Sequence, residues 1–127
     1  MKLFIPGPTQ VAPEILQEMA HPAIGHRTPE CARLWATARA GLRQLMHTEG
    51  EILMLTGPAS AMMEGAIRNT VATRSLHLVN GAFSKRWADI AESCGVEALR
   101  ESKPMDEGFS ADDLRAALET YGPVDAV

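Results

Sequence analysis

The feature that most constrains the fold is an alternation of short apolar runs with segments of helical periodicity, from residue 51 to the last residue. Short apolar runs bounded by Gly or Pro are typical of buried strands, and apolar residues spaced three and four apart are typical of helices. The predicted strands are 51–56, 76–80, 96–100 and 124–127; the predicted helices are 59–73, 83–91 and the segment that follows Ser110. This order predicts an α/β fold with a largely parallel sheet, right-handed crossovers and flanking helices.

An amino-terminal arm and a helix precede this alternation. Pro6-Gly7-Pro8 predicts an irregular, extended arm. Pro13 fits the first turn of a short helix, which ends at His21-Pro22. A second helix is predicted to begin at Thr28, because threonine caps helix amides well and Pro29 suits the first turn.

Composition and charge exclude several kinds of partner. The chain of 127 residues has a formal net charge of -4, so a nucleic-acid partner is not expected. It contains no apolar run of about 18 residues, so no membrane span is expected. The histidines lack the spacing of metal ligands, and no metal site is predicted. Cys31 and Cys94 form no CxxC motif, which favours two reduced thiols in a cytoplasmic protein.

The first candidate site is the turn Thr56-Gly57-Pro58-Ala59-Ser60, because ligands of open α/β sheets bind beyond the carboxyl ends of the strands. The predicted helix behind the turn presents backbone N–H groups and a positive dipole end, and Ser60 adds a hydroxyl. These groups can hold a phosphate without a lysine or an arginine. The same residues are typical of an ordinary strand-to-helix turn, so the pattern alone leaves both interpretations open.

The second candidate site is Asn80-Gly81-Ala82-Phe83, after the next predicted strand. The Phe83 ring could stack there on a flat cofactor. Taken alone, the pattern favours the alternative that Phe83 is the first core residue of its helix face. His26 and Arg27 precede a helix, where they could reach a site or a partner chain, or could form a solvated turn.

Four segments, in this order and spacing, resemble class V aminotransferases, a branch of the fold-type I enzymes that use pyridoxal 5'-phosphate (PLP). The similarity is closest to the alanine–glyoxylate and serine–glyoxylate (or serine–pyruvate) aminotransferases, and it extends over nearly the whole chain. The segments are Pro6-Gly7-Pro8-Thr9 with Val11 and Pro13; Gly25-His26-Arg27; Thr56-Gly57-Pro58-Ala59-Ser60 with Met63-Glu64; and Val79-Asn80-Gly81-Ala82-Phe83 with Arg86-Trp87.

The resemblance implies an activity and a cofactor site. The activity is PLP-dependent transamination between a small amino acid, alanine or serine, and a 2-oxo acid, glyoxylate or pyruvate. In the cofactor site, Pro58, Ala59 and Ser60 would hold the PLP phosphate, and Phe83 would stack on the pyridine ring.

The resemblance also implies a domain organisation and an assembly. Residues 1–27 would be an amino-terminal arm and short helix, and residues 28–127 an incomplete large domain that binds PLP. Gly7, His26 and Arg27 would lie near the active site and the dimer interface of a full-length homodimer.

The chain departs from the family's pattern in its phosphate turn. The family's loop often reads S-G-S-G-[TH], whereas Pro58 and Ala59 stand here in place of a serine and a glycine. Proline has no N–H to donate, and the alanine methyl limits close approach of a ligand to the backbone. Phosphate binding would therefore rest mainly on Ser60 and the helix end.

The larger departure concerns the catalytic groups. The family's aspartate for the pyridine nitrogen, its Schiff-base lysine and its arginine for the substrate carboxylate lie beyond the last residue. Lys2, Lys85 and Lys103 do not match the lysine's position, so no catalytic residue is assigned here. We therefore expect an amino-terminal fragment that is inactive by itself.

Two alternatives stay open. The first is another class V enzyme, of the phosphoserine aminotransferase or cysteine desulfurase type. The second is a degenerate, non-catalytic α/β module that binds a phosphorylated small molecule or a partner chain.

Overall fold

The computed structural model describes residues 3–127. It divides into two compact units, with the boundary between Leu53 and Met54. Each unit is described by itself below. None of the helices in the described part of the chain has both the length and the hydropathy needed to cross a bilayer.

The first unit contains two helices, α1 (Pro13–Met19) and α2 (Pro29–Leu45). Both helices begin with proline, whose missing N–H costs nothing in the first turn. Thr28 caps α2, because its Oγ1 accepts a hydrogen bond from the Cys31 N–H at 3.3 Å. These features confirm the predicted starts of both helices.

The second unit alternates helices and strands. Its elements are α3 (Ala59–Thr70), β1 (Arg74–Val79), α4 (Ala82–Ser93), β2 (Glu97–Ser102) and α5 (Ala111–Tyr121). The two strands pair in parallel, with Arg74 opposite Glu97 and Val79 opposite Ser102. The predicted α/β class, with a parallel sheet and flanking helices, is confirmed.

The other edge of β1 pairs with the end of the chain. The Asp125 N–H donates to the Arg74 carbonyl and the Leu76 N–H to the Ala126 carbonyl, each at 2.9 Å. Ala126 thereby forms a parallel bridge with Ser75. The predicted strand over 124–127 is represented by this single bridge.

The core of the second unit lies between the helices and the sheet. Ile67 and Val71 pack there against Ala91 of α4, with Trp87 and Cys94 at the margin of the cluster. Because Ile67 and Val71 lie at or just beyond the end of α3, and Cys94 just beyond the end of α4, the carboxyl-terminal halves of the two helices lie together.

The strand predicted over residues 51–56 is wrong. This run forms no strand in the structure, and Leu53 and Leu55 are 82% and 61% exposed. A strand requires hydrogen bonds to a neighbouring strand, and residues 3–127 provide no such neighbour for this run. An apolar run by itself does not supply that partner.

The helix predicted over residues 59–73 ends earlier, at Thr70. The amides of Ala72, Thr73 and Arg74 donate to the Asp125 carboxylate, at 2.6 to 3.1 Å, instead of to helix carbonyls. The same hydrogen bonds hold the pKa of Asp125 below its ordinary value, with the Thr73 amide as the largest cause. A contact distant in sequence thus sets this helix boundary.

Candidate functional site

The amino-terminal end of α3 has no side-chain cap. Pro58 occupies the cap position in an extended conformation, and it has neither a capping oxygen nor an N–H. The Ala61 N–H turns back to the Pro58 carbonyl at 2.9 Å. The amides of Ala59 and Ser60 lie in the first turn, where a helix supplies no acceptors of its own. This end is also the positive end of the helix dipole.

The amino-terminal end of α4 directly follows β1, as predicted. The Ser84 Oγ accepts hydrogen bonds from the Asn80 and Gly81 amides and donates to the Gly81 carbonyl, each at 3.1 Å. One side chain therefore holds the whole turn between strand and helix. Sequence reasoning missed this role of Ser84, because the capping-box signal has Glu or Gln at the third helix position and a serine there does not match it.

Phe83 lies in the first turn of α4, and it is 68% exposed. The alternative that Phe83 is the first core residue of its helix face is therefore wrong. Ala88, Ile90 and Ala91 are the residues of α4 that are buried. An exposed aromatic ring just beyond a strand end is available to contact a flat ligand.

The two helix ends lie on the same side of the second unit. A groove of about 480 Å³ runs between α3 and α4. Ser60 and Arg86 line it near the starts of the helices, and Arg68 and Cys94 line it near their ends. The structure thus places Pro58 and Ser60 of the turn, together with Arg86 of the second turn of α4, along this groove. Ala59 and Phe83 are not among its lining residues.

The charged groups of the groove differ in how they are paired. Asp89 accepts hydrogen bonds from Lys85 at 2.7 Å and from Arg100 at 3.0 Å, which hold its pKa below the ordinary value. Arg68 pairs with Glu64 at 2.7 Å. Arg86 makes no ion pair with any residue in the range 3–127. It is the cation of the groove that could face an anionic ligand.

The remaining site candidates lie in the first unit. Gly7, His26 and Arg27 are all exposed there. The Thr28 hydroxyl donates to the Gly25 carbonyl at 2.8 Å, which closes a turn around His26 and Arg27.

The lysines of the second unit are held in ion pairs. Lys85 contacts Asp89 and Lys103 contacts Asp113, each at 2.7 Å. Lys2 is outside the described residues. An amine held in an ion pair must leave its partner before it can attack a carbonyl.

A second cavity, of about 490 Å³, lies beside β1 and is also lined by residues of α3 and by Ser84 and Trp87 of α4. His77 is buried there, with a ring nitrogen 2.8 Å from the Ser75 hydroxyl oxygen. Burial lowers the pKa of His77, and the charge of Arg100 lowers it further. Both causes favour the neutral imidazole, which is hydrogen-bonded within the sheet.

Comparison with known proteins identifies relatives by sequence. No protein-family model matches the chain. An uncharacterized aminotransferase of Methanocaldococcus jannaschii is 34% identical over 127 residues, which cover 98% of this chain and 33% of that protein. The small subunit of a soluble hydrogenase of Synechococcus is 33% identical over 121 residues, which cover 94% of this chain and 32% of that protein.

Comparison with solved structures also identifies an aminotransferase. An alanine–glyoxylate aminotransferase from Nostoc superimposes with a TM-score of 0.86 at 36% sequence identity. The match covers 93% of this chain and 32% of the Nostoc chain. The chain thus spans about a third of the length of the relatives that it matches. The resemblance predicted from the sequence is confirmed, because the homologues and structural neighbours of this chain include alanine–glyoxylate and related class V aminotransferases.

Proposed function

We propose that this chain forms the PLP-holding part of an enzyme that transfers an amino group between a small amino acid and a 2-oxo acid. One observation carries the proposal. The uncapped start of α3 and Arg86 of α4 line a common groove, and the exposed Phe83 ring lies three residues before Arg86 on the same helix.

The phosphate of PLP fits the start of α3. The amides of Ala59 and Ser60 and the Ser60 hydroxyl offer three donors to an anion at the positive end of the helix dipole. Pro58 contributes its extended backbone, which directs the chain into the helix. Arg86 adds a positive charge to the same groove. These groups suit a phosphate dianion better than a neutral ligand.

The pyridine ring of PLP fits the start of α4. Phe83 is exposed, and the Ser84 hydrogen bonds fix the turn that carries it. Stacking of two flat rings contributes about 0.5 to 1.5 kcal/mol beyond the area that it buries. In this role Phe83 orients the ring while α3 holds the phosphate.

Catalysis would need groups that these residues do not supply. When bound, PLP serves as the electron sink of transamination. Lys85 and Lys103 are engaged by carboxylates, so neither is suited to attach the cofactor. We expect the 127-residue chain by itself to hold PLP without catalysing transamination.

The substrates proposed are alanine or serine as donor and glyoxylate or pyruvate as acceptor. The support is the activity of the Nostoc relative, an alanine–glyoxylate aminotransferase. We further propose a homodimeric, cytoplasmic enzyme in which Gly7, His26 and Arg27 lie near the active site or the dimer interface. The free thiols Cys31 and Cys94 agree with a reducing compartment.

Calorimetric titration with PLP and with pyridoxal, which lacks the phosphate, tests this proposal. We expect PLP to bind at least tenfold more tightly, a difference of about 1.4 kcal/mol. We also expect no transfer from alanine to glyoxylate by the chain alone. Equal affinity for the two compounds would contradict the proposed phosphate site, and catalysis by the chain alone would contradict the proposed lack of a catalytic lysine.

A further inference from the structure

A loop beyond β2 touches the turn that carries Phe83. The Asn80 side-chain amide donates to the Glu107 carbonyl at 2.9 Å, across 27 residues of sequence. A Cβ atom built on Gly81 would lie 3.9 Å from Met105 Cγ, so Met105 also rests against this turn. We call residues 103–110 the brace loop.

The brace loop is anchored at both ends. The Lys103 N–H donates to the Val79 carbonyl at 2.9 Å, at the carboxyl end of β1. The Lys103 ammonium donates to Asp113 at 2.7 Å and lies 5.2 Å from the centre of the Phe109 ring. A loop held in this way can transmit rigidity to the residue that it contacts.

Asn80 connects this anchored loop to the start of α4. Its backbone N–H donates to Ser84 Oγ, within the first turn of the helix. Its side chain meanwhile reaches the brace loop. Phe83 lies between Asn80 and Ser84 in sequence, and its own side chain is largely exposed. The position of the Phe83 ring therefore depends on the turn beneath it rather than on packing around the ring.

We propose that Asn80 is a positioning residue, which holds the Phe83 ring in place for the cofactor by tying the α4 turn to the brace loop. This inference rests on the proposed function, because it assigns Phe83 to the PLP ring. Its physical basis is that a binding group must be held to within about 0.5 Å by neighbours that are themselves fixed.

Asn80→Asp tests this role, because aspartate has the same shape but cannot donate to the Glu107 carbonyl when ionised. We expect amide hydrogen exchange at residues 81–84 and in the brace loop to accelerate at least fivefold in the unliganded chain. We also expect the affinity for PLP to fall about three- to tenfold. Asn80→Ala should have the same effects without introducing a charge, and circular dichroism checks that both variants fold.

Asn69→Asp is the matched control. Asn69 Nδ2 also donates to a backbone carbonyl, that of Gly65 at 2.7 Å, but near the end of α3 and away from the α4 turn. We expect this control to leave PLP affinity and exchange at residues 81–84 unchanged.

Two results would overturn the positioning role while leaving the proposed function intact. One is unchanged exchange at residues 81–84 in both Asn80 variants. The other is accelerated exchange with unchanged PLP affinity. If the wild-type chain binds no PLP, the proposed function fails and the positioning role fails with it, whatever the exchange data show.

Discussion

The starts of α3 and α5 are built in opposite ways. At the start of α5, Ser110 Oγ accepts from the Asp113 N–H at 3.2 Å, and the Asp113 carboxylate accepts from the Ser110 N–H at 2.7 Å. In this capping box, side chains of the same chain accept the hydrogen bonds of the Ser110 and Asp113 N–H groups. At the start of α3, Pro58 offers no capping group at all.

The difference separates a structural helix end from one that is available to a ligand. Capping groups stabilise a helix by satisfying its first amides, whereas an uncapped end forgoes that stability. The same uncapped amides attract an anion. Since α3 and α5 belong to the same compact unit, variants at the two ends can be compared directly in one protein.

The largest effect is expected for Ser60→Asp. A carboxylate in the first turn of α3 would occupy the positive helix end and repel the phosphate. We expect PLP affinity to fall about 10- to 100-fold, roughly 1.4 to 2.7 kcal/mol. The helix itself should not be weakened, since acidic residues suit this position. Calorimetry measures the affinity, and thermal unfolding measures the stability.

Ser110→Asp is the control for that variant. This variant also adds a carboxylate at a helix start, beside that of Asp113, but α5 is not assigned to the cofactor. PLP affinity should therefore be unchanged. An equal loss of affinity in both variants would mean that added negative charge, and not the start of α3, weakens binding.

A smaller effect on affinity is expected for Phe83→Ala. Because Phe83 is exposed, the midpoint of thermal unfolding should scarcely move. Loss of stacking should weaken binding about 2- to 12-fold, which corresponds to roughly 0.5 to 1.5 kcal/mol. PLP and pyridoxal should lose affinity equally, whereas Ser60→Asp should affect PLP alone. A loss confined to PLP would contradict the assignment of Phe83 to the ring.

The two helix ends should also differ in what truncation of serine does to stability. Ser110→Ala removes a cap and should lower the free energy of unfolding by about 1 kcal/mol. Ser60→Ala removes no cap, and the expected change is within about 0.5 kcal/mol. Urea denaturation of both variants measures the change in the free energy of unfolding. A larger loss for Ser60→Ala would contradict the distinction between the two ends.

The smallest expected effect is the dependence of folding stability on pH. Hydrogen bonds from Lys103 and Ser110 lower the pKa of Asp113, and those from the amides of Thr73 and Arg74 lower the pKa of Asp125. A carboxyl group with a lowered folded-state pKa stabilises the fold above its unfolded pKa of 3.8, and this contribution is lost as pH falls below that value.

The urea midpoint should therefore decline as the pH is lowered from about 5 to 2. The decline should be shallower in Asp113→Asn, which cannot titrate at that position. An identical slope in the variant would show that Asp113 does not carry the effect.

Sequence reasoning succeeded where the determining contacts are local. Thr28 was predicted as a helix cap, and a helix was predicted to follow Ser110. Each of these side chains bonds an amide only three residues away. The strand before Gly81 and the helix after it were predicted from periodicity and the glycine. These features depend on neighbours within a few residues, which a sequence displays directly.

Sequence reasoning failed where contacts between residues distant in sequence determine the local structure. The run 51–56 has strand character but no hydrogen-bonding neighbour in the described chain, so it forms no strand. The contacts of Asn80 with Glu107 and of Asp125 with Thr73 join residues 27 and 52 positions apart. Hydrophobic periodicity does not predict such contacts. The exposure of Phe83 likewise depends on how α4 is oriented against the sheet, which the sequence does not show.

The most direct test of the central claim is an NMR titration of the chain with PLP, following each backbone amide. We predict large, saturable chemical-shift changes at the amides of Ala59 and Ser60 and smaller changes near Phe83. We predict no change at the capped start of α5. Shifts concentrated at α5 or at the lysines, with Ala59 and Ser60 unmoved, would contradict it.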